Sequence, residues 1–263
     1  MKTLHILNGD STLYGFQHSG LDGDTLVWRE VLSEGPLTED IGSAAFWEMR
    51  AEWIGKSFNA TPDQYKQGIV DQLGKLNEPY DQICLWFEFD LNCQVNMLGA
   101  MTLLEKHVDL SEPVISLVCP DNYPGVPDFR GMGQLNGDQL ADLYDGRHQL
   151  SQYDFDLAAE AWQLYVSGDS ASLQKWIDET PFWGALHLLK PALEAHLKRL
   201  EVSANGLNYI EQELMNAHQN GAKTRLELYA GFWKNNAIYG MGDSEIDLYI
   251  NSLQDKGLLK KQE

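Results

Sequence analysis

The feature that most constrains the fold is an alternation of short apolar segments with segments of helical periodicity in the first 120 residues. Strands that alternate with helices pair in parallel and carry helices on both faces of their sheet. The alternation therefore predicts an α/β fold with an open, mostly parallel sheet and flanking helices. The predicted strands are residues 3–7, 25–31, 82–87 and 114–119, and the predicted helices are residues 11–18, 43–57, 62–76 and 92–107.

The pattern changes after residue 150, where helical segments follow one another with no strand between them. The last three segments resemble, in their order, a helix-turn-helix or winged-helix core. We therefore expect a Rossmann-like α/β domain over residues 1–150 and a helical C-terminal domain over residues 151–263. The six helices predicted in the second domain are residues 154–167, 171–179, 185–200, 209–219, 224–235 and 244–256.

The charge of the chain argues against a nucleic-acid partner. Its 39 acidic and 19 basic residues give a net charge of −20, and residues 201–263 are also net negative. Binding to nucleic acid depends largely on neutralising phosphates, which this composition does not favour. We instead expect the C-terminal helices to bind a protein partner or a second copy of the chain.

Cysteine usage and hydropathy bear on the expected location. The three cysteines, Cys84, Cys93 and Cys119, are an odd number and lack metal-finger spacing, which favours reduced thiols. The chain shows neither a signal peptide nor an apolar run of 18 residues. These features predict a cytoplasmic protein with no membrane association.

Polar residues follow the predicted strands. In open parallel sheets, ligands bind outside the carboxyl ends of the strands, so we predict that these side chains form one site. They are Asn8, Gly9, Asp10, Ser11 and Thr12 after the first strand, Trp28, Arg29, Glu30 and Glu34 after the second, and Glu88, Asp90 and Gln94 after the third.

Two kinds of chemistry are expected at this edge. The helix that begins near Ser11 offers free N–H groups to an anion, and Arg29 can hold a phosphate or carboxylate by two parallel bonds. Glu88 and Asp90 alternate along an extended segment and therefore share a face. Together with Asp10 they could bind Mg²⁺ or Mn²⁺, or they could shift each other's pKa as an acid–base pair.

Each of these features also has a structural alternative. Asp10 and Asp90 stand where each could cap the helix that follows. Arg29 could form an ion pair with Asp10 or with Glu30. His5 lies within the first strand, a position more typical of a buried core histidine than of a catalyst.

Four motifs in order resemble a bacterial family of domains of unknown function, numbered 1835. Its positions match His5-x-x-x-Gly9-Asp10, Trp28-Arg29-Glu30-x-Leu32-x-x-Gly35-Pro36, Phe87-Glu88-x-Asp90-x-x-x-Gln94 and Gly131-x-Gly133-Gln134-Leu135. From about Gly184 the chain is similar to the usual companion domain, also of unknown function. The resemblance covers most of the chain and implies a fold and a set of positions, but no activity. The family usually has Glu-His-Asp where this chain has Glu88-Phe89-Asp90, so a mechanism that needs that histidine is not implied.

Residues 7–15 also resemble the first block of the Gly-Asp-Ser hydrolases, whose serine is a nucleophile. An Asp-x-x-His string, Asp145 to His148, fits the second motif of that family. The resemblance implies an esterase in which His148 deprotonates Ser11 and Asp145 orients His148. The Gly-x-Asn-Asp block that would supply the oxyanion hole is missing from the sequence.

Three functions therefore remain open. The first is a metal-assisted enzyme or binding domain for a phosphorylated or nucleotide-like small molecule. In its most concrete form it is a metal-dependent phosphoester hydrolase, whose carboxylates would be Asp10, Glu30, Glu88 and Asp90. The second is an adaptor or regulator that acts through its helical tail. The third is the serine esterase.

Overall fold

A computed structural model describes residues 1–260 and contains a five-stranded sheet with the strand order β2-β1-β3-β4-β5. The first four strands are parallel, and the short β5 pairs antiparallel to β4. The predicted class, a mostly parallel α/β sheet with flanking helices, is confirmed. The strands are β1 (Thr3–Asn8), β2 (Asp24–Trp28), β3 (Gln82–Trp86), β4 (Val114–Val118) and β5 (His148–Gln149).

Five α-helices accompany the sheet within residues 1–150. The predicted helix at 62–76 divides into α3 and a 3-10 helix, Val70–Asn77. Neither α5 nor β5 was predicted, although Asn136 and Gln139 form a capping box that marks the start of α5. The helices are α1 (Asp10–Phe16), α2 (Ala44–Phe58), α3 (Pro62–Gly68), α4 (Leu91–His107) and α5 (Gly137–Asp145).

The C-terminal part is helical, as predicted. Its third helix begins at Leu189, so that Pro191 falls in the first turn, where the missing N–H breaks no intrahelical bond. A helix-turn-helix-like role for the last three helices stays a prediction. The helices are α6 (Gln152–Ser167), α7 (Ser170–Glu179), α8 (Leu189–Leu200), α9 (Tyr209–Gln219), α10 (Arg225–Trp233) and α11 (Asp243–Asp255).

One hydrophobic core joins the two parts of the chain. α4 is buried along most of its length and packs against both α6 and α8. A smaller cluster on the other face of the sheet includes Phe16 of α1, Trp86 of β3 and Leu140 of α5. Residue 150 therefore marks a change of secondary structure within a continuous core. Across residues 1–260, none of the helices has the length and apolar character needed to cross a membrane.

Candidate functional site

The carboxyl ends of β1, β2 and β3 open into a cleft of about 990 Å³. The strand order reverses between β1 and β3, which is the point in such sheets where ligands bind. The facing wall belongs to the C-terminal part of the chain. None of the predicted site residues lies in that part. That wall consists of Ala230, Trp233, Lys234, Asn236, Ala237, Gly240, Met241 and Gly242.

Glu88 lies at the floor of the cleft and is only 5% exposed. One carboxylate oxygen accepts the backbone N–H of Met132 at 2.9 Å, and the other accepts the thiol S–H of Cys93 at 3.0 Å. Burial and the nearby charge of Asp90 raise the pKa of Glu88 to about 7. Glu88 can therefore exchange a proton near neutral pH.

Asp90 caps the N-terminus of α4, which is the structural alternative considered for it above. Its Oδ1 accepts the backbone N–H of Cys93 at 2.9 Å, and burial raises its pKa. Gly240 of the C-terminal wall lies so close that a Cβ built there would overlap with the Asp90 carboxylate. Gly240 also has a φ of 60°, which favours glycine. A glycine is therefore needed where the C-terminal wall meets the floor.

An amide network holds the strand ends in register around this floor. Asn8 donates to the Cys93 sulfur at 2.8 Å and accepts a hydrogen bond from Asn96 at 3.0 Å. Asn96 also donates to the backbone carbonyl of Glu30 at 2.8 Å and accepts the N–H of Leu32 at 3.0 Å. Asn96 was not among the predicted site residues. Its position as a polar residue within the apolar helix α4 could have indicated a role there.

Asp10 and Arg29 form an ion pair at the rim of the cleft, which is the structural alternative considered above. The guanidinium donates two hydrogen bonds of 2.7 Å to the two carboxylate oxygens and holds the pKa of Asp10 below its usual range. The N-cap of α1 is Gly9, whose N–H donates to the carbonyls of Leu7 and Trp28. Asp10 is therefore not the cap, and the Gly9 N–H is already engaged.

Glu30 is among the residues that line the cleft, but other side chains of the protein engage its carboxylate. Its carboxylate accepts hydrogen bonds from Arg50 at 2.6 and 3.1 Å and from the hydroxyl of Tyr65 at 2.5 Å. The side chains of Glu30 and Arg50 are fully buried. The Glu30 carboxylate is thus held by partners within the protein, and a catalytic role for Glu30 stays a prediction.

Three other predicted site residues do not line the cleft. Glu34 pairs with Arg199 at 2.7 Å and lines a separate cavity of about 300 Å³. Gln94 is buried and donates to the backbone carbonyl of Glu88 at 2.6 Å, so that it supports the floor from behind. Thr12 is buried within α1. The predicted residues that do line the cleft are Asn8, Gly9, Asp10, Ser11, Trp28, Arg29, Glu30, Glu88 and Asp90.

The predicted metal ligands are not assembled into one cluster. Asp10 is engaged by Arg29 at the rim, whereas Glu88 and Asp90 lie at the floor. Within residues 1–260, no group of three or more His, Cys, Asp or Glu side chains is arranged to hold a metal ion. A Mg²⁺ or Mn²⁺ ion stays a prediction.

The residues of the expected serine hydrolase are also separated. Ser11 follows β1, whereas His148 belongs to β5, with β3 and β4 between them. Three strand spacings amount to about 14 Å. His148 lines a different cavity, and Asp145 ends α5. The arrangement offers no proton path from Ser11 to His148.

Two basic residues of the cleft, Arg130 and Lys234, are exposed to solvent. Within the described part of the chain, the side chains of Arg130 and Lys234 have no carboxylate partner, although both line the cleft. The buried indole N–H of Trp28 also lacks an acceptor there. Two positive charges without carboxylate partners favour a ligand that carries negative charge.

Comparison with known proteins adds no assignment. A scan against models of protein families gave no match, and neither did a search of the curated proteins. The chemistry of the cleft is therefore inferred from its own residues.

Proposed function

We propose that the chain binds a small phosphorylated, nucleotide-like molecule in the cleft, and that Glu88 is the acid–base residue there. One observation carries the proposal. A buried carboxyl group with a pKa near 7 and two cations without carboxylate partners line the same cleft at the β1–β3 reversal point.

The electrostatics support an anionic ligand. The chain has a net charge of −20, so an anion needs a local source of positive charge to bind. Arg130 precedes the 3-10 helix Met132–Gln134, and Lys234 follows α10, so the cations come from two different parts of the chain. The fork of an arginine matches a phosphate by two bonds, and a lysine adds a mobile point charge.

Glu88 supplies the acid–base part of the proposal. Because burial and the charge of Asp90 raise its pKa to about 7, both protonation states of Glu88 are accessible near neutral pH. Met132 and Cys93 fix the orientation of its carboxyl group. In the hydrolysis of a phosphoester, water would form the new bond to phosphorus and lose a proton to solvent. The bond from phosphorus to the leaving oxygen would break, and a protonated Glu88 would donate its proton to that oxygen.

The position of the C-terminal part favours this function over an adaptor role. Residues from α10 to Gly242 form one wall of the cleft, so the helical tail takes part in the site itself. We also propose that the chain is a member of the family of domains numbered 1835. Each of the four motifs that carry that resemblance supplies residues to the cleft, among them Gly9, Trp28, Glu88 and Gly133.

A thermal-shift titration tests the proposal. The ligands are inorganic phosphate, ribose 5-phosphate and nucleoside monophosphates, each with and without Mg²⁺, and the uncharged nucleosides serve as ligand controls. A phosphorylated ligand at 100 times its Kd should stabilise the chain by about 2.7 kcal/mol. If the shift requires Mg²⁺, the metal-assisted form of the proposal is supported.

Three variants that each remove one positive charge locate the site. Arg130→Gln and Lys234→Gln should each weaken the phosphorylated ligand by about tenfold, because each removes a charge-assisted contact. Lys175→Gln is the matched control, since Lys175 lies on α7 outside the cleft. The proposal fails if no phosphorylated ligand shifts the wild-type chain, or if Lys175→Gln weakens binding as much as the cleft variants.

A further inference from the structure

Resting on the proposed function, we infer that Arg29 is a third cation of the phosphate site, and that the phosphate group replaces the Asp10 carboxylate on its guanidinium. Asp10 is then a competitor of the ligand rather than one of its contacts. The pair selects ligands whose anionic group offers two oxygens to the arginine fork, as a phosphate does.

The ion pair has a geometry that a phosphate can reproduce. Nε of Arg29 donates to Oδ2 of Asp10 at 2.7 Å, and Nη2 donates to Oδ1 at 2.7 Å. An arginine forms two parallel bonds of this kind with a carboxylate or with a phosphate. Among the ion pairs within residues 1–260, this is the one in which both members line the cleft. The Asp10 carboxylate thus takes up an anion-binding position of the cleft.

The two side chains can separate at little cost to the fold. The side chain of Asp10 is 61% exposed and that of Arg29 is 32% exposed, so the carboxylate can turn into solvent. Ion pairs with this exposure contribute little to stability, because water and salt screen them. Asp10 is also not needed as a cap, since Gly9 holds that position in α1. The fold therefore does not depend on the pair.

Arg29 has a second anchor that does not involve Asp10. Its Nη1 donates to the backbone carbonyl of Gly68, the last residue of α3, at 2.9 Å. Its Cδ lies 4.0 Å from the position that a Cβ would take at Gly68. The guanidinium is thus held at the rim from the side of α3. When the carboxylate leaves, Nε and Nη2 become available to an anion.

The pair lies close to the segment that carries another cation of the site. Ser11 follows Asp10 directly, and a Cβ built at Gly133 would be 3.1 Å from the Ser11 hydroxyl oxygen. Gly133 comes three residues after Arg130, and three residue steps span at most about 11 Å. Both arginines line the cleft. Arg29 and Arg130 therefore flank the same part of it.

Competition gives the Asp10→Asn change the opposite effect from a contact role. Asparagine carries no charge, so it neither holds the guanidinium as strongly nor repels a phosphate. If Asp10 instead contacted the ligand, or bound Mg²⁺ for it, the same change would weaken binding. The direction of the change in affinity therefore separates the two roles.

Calorimetric titration of variants that each remove one charge tests the inference. The probes are inorganic phosphate, ribose 5-phosphate and adenosine 5′-monophosphate, each with and without Mg²⁺. Asp10→Asn should bind at least one probe about tenfold more tightly than wild type, and Arg29→Gln should bind it about tenfold more weakly. Asp40→Asn is the matched control and should bind as wild type does. Asp40 accepts a hydrogen bond from Lys106 in an exposed ion pair outside the cleft.

A second measurement follows the exchange itself. In ¹³C-labelled wild-type protein, the carboxylate resonance of Asp10 should move toward that of a solvated aspartate as the tightest of the three probes is added. An unchanged resonance at saturation would show that Asp10 stays on Arg29, and the inference would be wrong. This measurement decides the question if Asp10→Asn does not fold.

The outcomes separate the inference from the proposed function. If a probe binds wild type but Asp10→Asn binds it no more tightly, or Arg29→Gln no more weakly, the inference is wrong and the proposed function stands. The inference is also wrong if Asp40→Asn gains as much affinity as Asp10→Asn, because the gain then comes from the net charge of the chain. If no probe binds wild type or Asp10→Asn, the proposed function fails and the inference with it.

Discussion

The carboxylate of Glu30 accepts two hydrogen bonds from the guanidinium of Arg50, and neither side chain is exposed to solvent. The guanidinium also donates to the backbone carbonyls of Val31, Glu34 and Pro36. The loop that follows β2 is thus folded around one buried ion pair. A buried charge of this kind is stable only while its partner is present.

Loss of either partner is expected to destabilise the fold. Arg50→Met or Glu30→Gln should lower the free energy of unfolding by about 3–5 kcal/mol, because each leaves an uncompensated buried group. The double variant should lose less than the sum of the two, since the groups interact directly. Urea denaturation measures all three. A Glu30→Gln chain of normal stability that no longer binds ligand would instead show that Glu30 acts in ligand binding.

The pKa of Glu88 predicts a pH dependence of stability. It is about 7 in the folded state against an ordinary value of 4.5, so the folded state binds more protons between these pH values. The contribution is fully present below pH 4.5 and is lost as the pH rises through 7. Relative to wild type, Glu88→Gln should therefore gain stability by up to about 3 kcal/mol from pH 4.5 to pH 8. Urea midpoints across this range test it, and a difference independent of pH would contradict it.

The close approach of Gly240 to Asp90 predicts a specific cost for a side chain at this position. Gly240→Ala should destabilise the chain, because its Cβ would overlap with the carboxylate and because its φ is 60°. Gly168→Ala is the matched control, since Gly168 has a φ of 69° and open space around it. The control should cost about 1–2 kcal/mol, and Gly240→Ala should cost about 1–3 kcal/mol more. Equal losses of thermal stability in the two variants would show that a Cβ at residue 240 does not clash with the Asp90 carboxylate.

His5 is expected to stay neutral in the folded chain. The indole N–H of Trp86 donates to its Nδ1 at 3.1 Å, so the proton lies on Nε2, which is 3.4 Å from the carbonyl of Asp22. Burial lowers the pKa of His5 to about 4. Stability should therefore fall as the pH drops below 6.5, the value for an unfolded histidine. NMR of the imidazole nitrogens should show the Nε2–H form from pH 8 to pH 5, and titration near 6.5 would contradict this.

The predicted fold class depended on local patterns, and these were sufficient. Buried strands show as short apolar runs, and helix starts show as caps such as Thr61-Pro62. The capping role of Asp90 and the Arg29–Asp10 ion pair were both among the alternatives, because each involves residues whose roles follow from the ends of elements. The antiparallel β5 has only two residues and no periodicity to detect.

The sequence by itself determined the sheet, the helical tail and the edge at which the site would lie. Only the tertiary structure decided what each carboxylate does. Asp10, Glu30, Glu88 and Asp90 all follow strands, yet Glu30 meets Arg50 from α2, and Glu88 meets the N–H of Met132. Partners so far apart along the chain leave no local pattern, and burial and neighbouring charge set the pKa of each group. For the same reason, the closing of the cleft by residues 230–242 could be seen only once the chain was folded.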